Sequence, residues 1–340
     1  MYYNSNVNKT NHRLIVSLPF VNNIFENAES FFERANSIFQ YQRKTNKVYQ
    51  KWCEAFNSEK NSIGSLTDFS FLPISFFKTH EIKCGEFEPQ VVFESSGTAQ
   101  QLHSHHYVKD VNIYNKSFLK CFENFYGDVK NLCILGLLPS YLERKNSSLV
   151  MMADELIKQS AHLQSGFYLY DFEKLSNVLK DLENAKQQTL LIGVTFALLD
   201  FAEQFPVQLK YTTVMETGGM KGRREELTRQ QVHEMLCEKF GLNAVHSEYG
   251  MTELLSQAYS KGNGRFFCAP WMKVLVRDED DPLLVKTVGR GALNIIDLAN
   301  VYSCSFIATD DTGYVYEDGS FGVWGRLDNS DVRGCSLMTV

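Results

Sequence analysis

The sequence has 340 residues, 44% hydrophobic and 22% charged, which is typical of a globular protein with a substantial core and argues against disorder. The formal net charge of −6, without a long Lys/Arg cluster, argues against a nucleic-acid partner. The eight cysteines include no Cys-x-x-Cys pair, so neither a zinc site nor a disulfide framework is indicated. The polar N-terminus, residues 1–12, lacks an apolar core of signal-peptide length, and no later stretch approaches the length of a membrane span. We therefore expect a cytoplasmic protein with no stable membrane anchor.

The first part of the chain is predicted to be helical. Apolar side chains recur at helical spacing over residues 23–56, which predicts two amphipathic helices that cover a sheet. Residues 66–77 contain Pro73 and aromatics without a clear period, which predicts a buried irregular connection. A short strand is predicted at residues 90–93, and it runs directly into a polar, glycine-containing loop.

Three hydroxyls beside a glycine in this loop can form a concavity of N–H and O–H donors that suits a polyphosphate. The loop residues are Ser95, Ser96, Gly97 and Thr98. No Gly-Lys-Ser/Thr follows, so the loop is not a Walker motif, and an ordinary turn is the alternative.

Three histidines, His103, His105 and His106, follow the loop. Imidazole is a common metal ligand, but no carboxylate or cysteine lies at a supporting spacing. Surface or substrate-loop histidines are therefore favoured over a metal site.

The middle of the chain alternates helical patterns with continuous apolar runs, and such runs are typical of strands buried on both faces of a parallel sheet. Helices are predicted at residues 110–125, 148–162 and 172–182, and strands at residues 131–138 and 189–195. The alternation predicts an α/β fold with helices flanking the sheet. The aromatic connection at residues 163–170 either packs in the core or lines an apolar substrate pocket.

Residues 211–253 form a predicted unit of strand, Gly-Gly turn, helix, strand and Tyr-Gly turn. The first strand, at residues 211–215, ends just before Gly218 and Gly219, where backbone can approach a ligand closely. The helix is delimited by a capping box at residues 228–231 and by a glycine stop at Gly241. The second strand is predicted at residues 242–245.

The turn that follows carries the side chains that a nucleotide and its metal require. Tyr249 offers an aromatic face, Gly250 allows a sharp turn, Thr252 offers a hydroxyl and Glu253 offers carboxylate oxygen for Mg²⁺. Packing and capping are the alternative roles for these residues. If the turn binds nucleotide, it lies where α/β sheets place their ligands, at the strand ends.

From about residue 266 the pattern becomes β-rich. Strands are predicted at residues 271–276, 292–298, 305–309, 313–317 and 322–324. Asp311, in a predicted turn, is suited to ribose hydroxyls, and Arg326 to a phosphate. A plain Asp-Gly turn and a solvated arginine are the alternatives. The predicted organisation is a helical cover (1–64), an α/β core (65–265), a β-rich subdomain of the same core (266–326) and a short tail (327–340).

Taken in order, four stretches resemble the motifs of the adenylate-forming superfamily. They are the Ser95–Thr98 loop, Thr217-Gly218-Gly219, Tyr249-Gly250-Met251-Thr252-Glu253, and residues 309–313 with Gly325-Arg326-x-Asp328. Within the superfamily the chain is most similar to the acyl-protein synthetases of bacterial bioluminescence, and more distantly to phenylacetate-CoA ligases. The resemblance covers roughly residues 65–340, and it implies an adenylating domain of mostly parallel sheets flanked by helices.

The resemblance implies ATP and Mg²⁺ as cofactors and a carboxylic acid, best a fatty acid, as substrate. By position, the Ser95–Thr98 loop would hold the β and γ phosphates, and Gly218-Gly219 with Tyr249-Gly250 would hold adenine. Thr252 would touch the α-phosphate or the acyl carboxylate, and Glu253 would bind Mg²⁺. Asp311 would hold the ribose, and Arg326 would bind ribose or phosphate.

The acceptor implied by the resemblance is a thiol. In acyl-protein synthetases a cysteine near the C-terminus takes the acyl group, and Cys335 matches that placement, with Arg333 nearby to favour thiolate. A reductase or carrier protein would then receive the acyl group. A cysteine without a task is the alternative for Cys335.

Two departures from the superfamily pattern qualify these expectations. The loop continues Ala99-Gln100 where the superfamily has Thr-Gly, and the sequence stops soon after Arg326, where relatives continue into a domain with a catalytic lysine. We expect one of three consequences for the missing lysine. One of Lys221, Arg223 and Arg224 takes its role, adenylation is slower, or a partner protein completes the site. An acyl- or aryl-CoA ligase that uses free CoA and a non-catalytic acyl-nucleotide-binding subunit remain the alternative functions.

Overall fold

The computed structural model describes residues 21, 23–26, 29–56, 63–95, 102–139, 146–218 and 227–327. Its helices are α1 (Phe31–Thr45), α2 (Lys47–Phe56), α3 (Phe76–Thr79), α4 (Val111–Tyr126), α5 (Ser148–Ser160), α6 (Phe172–Asn184), α7 (Thr195–Gln204) and α8 (Arg229–Phe240). None of these helices combines the length and the apolar character needed to cross a membrane.

The strands in the first half of the chain are β1 (Leu72–Pro73), β2 (Val91–Glu94), β3 (His105–Val108), β4 (Cys133–Leu137), β5 (Gly166–Phe167), β6 (Thr189–Val194) and β7 (Thr212–Thr217). Those in the second half are β8 (His246–Tyr249), β9 (Ala258–Ser260), β10 (Arg265–Cys268), β11 (Met272–Arg277), β12 (Val285–Lys286), β13 (Gly289–Asp297), β14 (Phe306–Val315) and β15 (Phe321–Arg326).

One 13-stranded sheet runs in the order β12-β11-β13-β14-β15-β10-β9-β8-β7-β6-β4-β5, with β1 parallel to β14. The strands from β5 to β8 pair in parallel, whereas those from β8 through β9 to β12 pair antiparallel. The predicted α/β class, with a β-rich region near the C-terminus, is therefore confirmed. The predicted division at residues 265/266 falls at the start of β10, which pairs with both β9 and β15.

Parallel strands in the middle of the sheet are buried because helices cover both of their faces. Every residue of β4 and of β6 is buried, as their continuous apolar sequences predict. One apolar cluster packs α1 and α4 on one side, and a second packs α6, α7 and α8 on the other. Each fully buried Leu or Ile contributes about 1.5–3 kcal/mol to this packing.

The two predicted N-terminal helices are present, and in the structure they cover the antiparallel part of the sheet. Helix α1 begins at a capping box in which Ser30 and Glu33 satisfy each other's backbone N–H groups. Further along, the Gln42 amide donates to the carbonyls of Asn300 and Val301 at 2.9 and 3.1 Å. Hydrogen bonds from α1 to the turn after β13 therefore fix the position of the two N-terminal helices on the sheet.

Helix α7 was not among the predicted elements. Seven of its ten residues, including Phe196, Leu198 and Phe201, are buried, so its sequence carries few polar residues to mark helical periodicity. Its packing between β6 and α8 was therefore invisible to a search for amphipathic patterns.

The strand predicted at residues 242–245 is wrong. The strand of this region is β8, and Leu242 instead donates its N–H to the carbonyl of Cys237, closing the end of α8 after the left-handed Gly241. The polar residues of β8 fit in the sheet because Ser247 and Glu248 find partners on β7 and α8. The apolar residue Leu242 is therefore part of the C-terminal cap of α8 and not of a strand.

The turn predicted at residues 309–313 is also wrong. Strand β14 is continuous from Phe306 to Val315, and its register against β15 shifts between Thr312 and Gly313. A Cβ at Gly313 would collide with the carbonyl of Gly322, so the glycine serves the close approach of two strands. The Asp-Gly pattern marks a bulge, and Asp311 therefore lies inside the sheet.

Candidate active site

Three of the predicted site residues meet at the centre of the sheet. The Tyr249 hydroxyl donates to Asp311 Oδ2 at 2.8 Å, and Arg326 Nε donates to Asp311 Oδ1 at 3.1 Å. Asp311 and Arg326 are register partners on β14 and β15, and Asp311 is only 4% exposed. Hydrogen bonds to a charged group contribute about 1.5–3 kcal/mol each, so the two donors offset the burial of the carboxylate.

The ring of Tyr249 is fixed by aromatic neighbours. It packs at 5.3 Å edge-on against Phe321 and at 5.8 Å against Phe266. These contacts orient the hydroxyl toward Asp311 from the end of β8. Strand β8 is also the strand at which the sheet changes from parallel to antiparallel pairing, and ligands of open α/β sheets bind beyond the carboxyl ends of the parallel strands.

The turn after Tyr249 is held by a residue that the sequence did not single out for this role. His106 Nδ1 donates to the carbonyl of Thr252 at 2.8 Å, and the ring lies between Phe77 and Phe93. Burial lowers the pKa of His106 to about 4, so the ring is neutral at pH 7 and its Nδ1 carries the proton. The alternating burial of β3 is the signal that places His106 inside and His105 outside.

The predicted phosphate loop begins at a hydrogen-bonded hairpin. Ser95 Oγ accepts from the Ser104 N–H at 2.9 Å, and His103 Nδ1 donates to the Ser95 carbonyl at 2.8 Å. Because β3 carries His106, the same hairpin is anchored to the turn at Thr252. The described ends of the loop are therefore tied to the end of β8.

Several predicted site residues lie outside the described part of the chain. They are Ser96, Gly97, Thr98, Gly219, Lys221, Arg223, Arg224, Asp328 and Cys335. Within the described ranges, no group of three or more His, Cys, Asp or Glu side chains is placed to hold a metal ion.

The segment that follows Thr252 is anchored to the end of β13. Glu253 is 4% exposed, and its carbonyl accepts from the Asn300 amide at 2.7 Å. Asp297 accepts from the N–H groups of Leu255 and Ser256 at 2.8 and 3.0 Å, while burial raises the pKa of its carboxyl to about 6. These bonds make the turn a fixed element of the antiparallel half of the sheet.

Glu248 lies beside the turn, on the opposite face of β8 from Tyr249. The hydroxyl of Thr217 donates to Glu248 Oε2 at 2.5 Å, and burial, together with the charge of Glu216, raises the pKa of Glu248 to about 7. A Cβ at Gly250 would press on Glu248 Oε1, and Gly250 is not among the residues with positive φ. Gly250 therefore makes room for the Glu248 carboxyl group, and the sharp turn expected at this position does not use a positive φ.

A buried ionic network borders the Gly-Gly turn. Glu216 accepts from Arg229 Nε at 3.2 Å and lies 3.6 Å from His233 Nε2. Burial opposes its ionisation, but the hydrogen bond with His233 and the charge of Arg229 hold the pKa of Glu216 below its usual value. Thr195 bonds both Glu216 and the carbonyl of Gly218, whose φ is 69°. The network therefore fixes both ends of the connection between β7 and α8.

Comparisons with known proteins place this geometry in context. No model of a known protein family matches the chain. The chain is similar to a long-chain-fatty-acid–luciferin-component ligase of Aliivibrio fischeri, with 24% identity over 185 residues. That match covers 49% of this chain and 49% of the ligase, so the chain spans about half the length of this curated relative.

Solved structures share the fold. ATP-bound MatB from Rhodopseudomonas palustris matches with a TM-score of 0.53 and 14% identity, over 71% of this chain and 49% of its own. A 2-hydroxyisobutyryl-CoA ligase, crystallised in the postadenylation state with R3-HIB-AMP, matches with a TM-score of 0.59 and 12% identity, over 88% of this chain and 69% of its own. The chain therefore shares the fold of these two structures, as expected from the resemblance of its motifs to the adenylate-forming superfamily.

Proposed function

We propose that the protein uses ATP to activate a carboxylic acid and then passes the acyl group to a thiol. A carboxylate oxygen attacks the α-phosphorus and pyrophosphate leaves; the thiol then attacks the acyl carbon and AMP leaves. The observation that carries the proposal is the convergence of Tyr249 and Arg326 on Asp311. It joins three motif residues at one end of β8, where open α/β sheets bind ligands.

The nucleotide is assigned to the face of the site that includes Tyr249 and Asp311. Each oxygen of the Asp311 carboxylate receives one protein donor and has a further lone pair for a ribose hydroxyl. The Gly218-Gly219 turn and Tyr249-Gly250 are assigned to adenine. The polyphosphate is assigned to the loop that begins at the hairpin of Ser95, with the following residues Ser96, Gly97 and Thr98.

Glu253 is assigned to Mg²⁺ and Thr252 to the reacting carboxylate or α-phosphate. Mg²⁺ is usually held by one or two carboxylates together with substrate phosphates, so a single protein carboxylate at this turn fits the ion. When bound, the metal would neutralise phosphate charge as the anionic carboxylate approaches. The chain itself fixes the position of the turn through Asn300 and His106, and Arg326 adds a cation.

A fatty acid is the proposed substrate and Cys335 the proposed first acceptor. The name of the Aliivibrio fischeri relative refers to a long-chain fatty acid and to a luciferin component, which supports the choice of a fatty acid as substrate. A reductase or carrier protein would take the acyl group from Cys335, and the reaction would take place in the cytoplasm. CoA is the competing acceptor.

The test is pyrophosphate release from Mg·ATP with a panel of carboxylic acids, combined with the intact mass of the protein. Self-acylation predicts an adduct that hydroxylamine removes and that is absent in Cys335→Ser. The matched control is Cys237→Ser, because Cys237 is a partly exposed thiol on α8. Release without an adduct until CoA is added favours the ligase, and no release with any acid refutes the proposed activity.

The metal assignment has its own test. Glu253→Gln should abolish Mg-dependent pyrophosphate release, while Glu123→Gln, on the exposed side of α4, should leave it unchanged. An unchanged rate and unchanged Mg²⁺ dependence in Glu253→Gln would refute the role of this carboxylate.

A further inference from the structure

Two buried polar atoms close to the candidate site have no hydrogen-bond partner. They are Gln257 Oε1 and the hydroxyl of Tyr259, whose side chains belong to residues only 4% and 1% exposed. Buried polar groups in native proteins are nearly always paired, because each unpaired one costs about 1–3 kcal/mol. Such atoms therefore mark a position where a molecule outside the chain can supply the missing partners.

Both atoms belong to residues that adjoin Glu248. Glu248 and Tyr259 are directly opposite in the antiparallel pairing of β8 and β9, which puts their side chains on one face about 5 Å apart at Cβ. The position of a Cβ on Gly250 would touch Glu248 Oε1 and lie 3.6 Å from Gln257 Cγ. Two polar side chains, those of Glu248 and Gln257, therefore flank the backbone of Gly250, and Tyr259 is the cross-strand neighbour of Glu248.

This face of β8 is separate from the nucleotide side. Successive side chains of a strand point to opposite faces, so Glu248 faces away from Tyr249 and Asp311. Its face is the one on which His246 shares a hydrogen bond with Tyr126 of α4 at 3.2 Å.

We propose that Glu248, Gln257 and Tyr259 form a polar subsite for a hydroxyl group on the acid substrate, so that the favoured substrate is a hydroxy acid. This inference rests on the proposed function, because it places the carboxyl group at Thr252. A hydroxyl is the group that matches, since it donates to Gln257 Oε1 and accepts from the Tyr259 O–H. An unsubstituted alkyl chain would leave both atoms unpaired.

The charge of the subsite is consistent with a neutral guest. Burial raises the pKa of Glu248 to about 7, so near neutral pH much of this carboxyl group is protonated and no cation is required opposite it. The hydroxyl of Thr217 already occupies Glu248 Oε2. The hydrogen-bonding groups of the subsite that remain without a partner therefore suit an uncharged substrate group that both donates and accepts.

The test compares the binding of a straight-chain fatty acid with that of its α-, β- and ω-hydroxy derivatives of equal length. Binding is measured by calorimetry on the whole chain without ATP. At least one hydroxy isomer should bind about tenfold or more tighter than the parent acid, as expected when buried polar groups gain partners. Tyr259→Phe should remove most of that preference, because only the oxygen that pairs with the substrate hydroxyl is deleted.

Tyr49→Phe is the matched control. It removes a buried hydroxyl that donates to the Ser70 carbonyl at 2.6 Å beneath α2, so it should leave the preference intact. The inference is overturned if the parent acid binds as tightly as every isomer, or if Tyr259→Phe weakens both kinds of acid equally. Because calorimetry needs no turnover, a hydroxy preference without pyrophosphate release would refute adenylation and support the subsite.

Discussion

The hydrogen bond from His106 to Thr252 makes a quantitative prediction about pH and stability. The pKa of His106 is lowered from 6.5 to about 4 by burial, so the folded protein binds the proton more weakly than the unfolded chain does. Its contribution to stability is therefore fully present above pH 6.5 and is lost as pH falls toward 4. At pH 5 the loss relative to pH 7.5 is about 2 kcal/mol, worked from these two pKa values.

The assay is urea unfolding of the wild type and of His106→Asn at pH 7.5 and at pH 5.0. The Asn amide can take the place of Nδ1 and donate to the Thr252 carbonyl, but it does not titrate. The smaller side chain lowers stability at both pH values alike, so the difference between the proteins should shrink by about 2 kcal/mol on acidification.

Other buried groups do not disturb this comparison. Burial raises the pKa of Glu248 to about 7 and that of Asp297 to about 6, so their contributions change in the opposite direction and are lost as pH rises. Both proteins contain these groups, and their contributions cancel in the difference. Two stability curves that run parallel from pH 7.5 to pH 5.0 would show that His106 is not held neutral by burial.

Two further substitutions test the packing around the turns. Gly250→Ala should cost about 1–3 kcal/mol in unfolding free energy, because the new methyl group displaces the Glu248 carboxyl group; Gly166→Ala, where the space is open, should change it by less than about 0.5 kcal/mol, and equal effects would contradict the model. Arg229→Gln should cost about 3 kcal/mol by leaving Glu216 buried without its cation, and the added Glu216→Gln should recover part of the loss; strict additivity in a double-mutant cycle would refute the coupling.

Sequence patterns predicted the elements whose local signals agree with their packing. The helix α8 was delimited by its capping box and by Gly241, and both features are present in the structure. The buried strands β4 and β6 were recognisable because parallel strands covered on both faces are apolar throughout. In these segments the local sequence pattern agrees with the burial that the fold imposes.

The sequence-based predictions failed where the partners of polar groups are residues far away in the sequence. Strand β8 has a polar sequence because Thr217 and His233 supply partners for Glu248 and Ser247. The importance of His106 depends on a carbonyl 146 residues away, which no local pattern can reveal. The convergence on Asp311 likewise depends on the pairing of β14 with β15, whereas the motif order alone indicated only which residues to look for.

The position of β15 in the sheet determines when, during synthesis, the site can exist. Arg326 reaches Asp311 only after β15 has paired between β10 and β14, and Arg229 of α8 donates to the Val323 carbonyl of the same strand. A growing chain that has not yet released residues 321–326 from the ribosome therefore lacks part of the proposed nucleotide pocket. Until then β10 and β14 present unpaired edges, which are templates for aggregation, so the late strand both completes the site and protects the nascent protein.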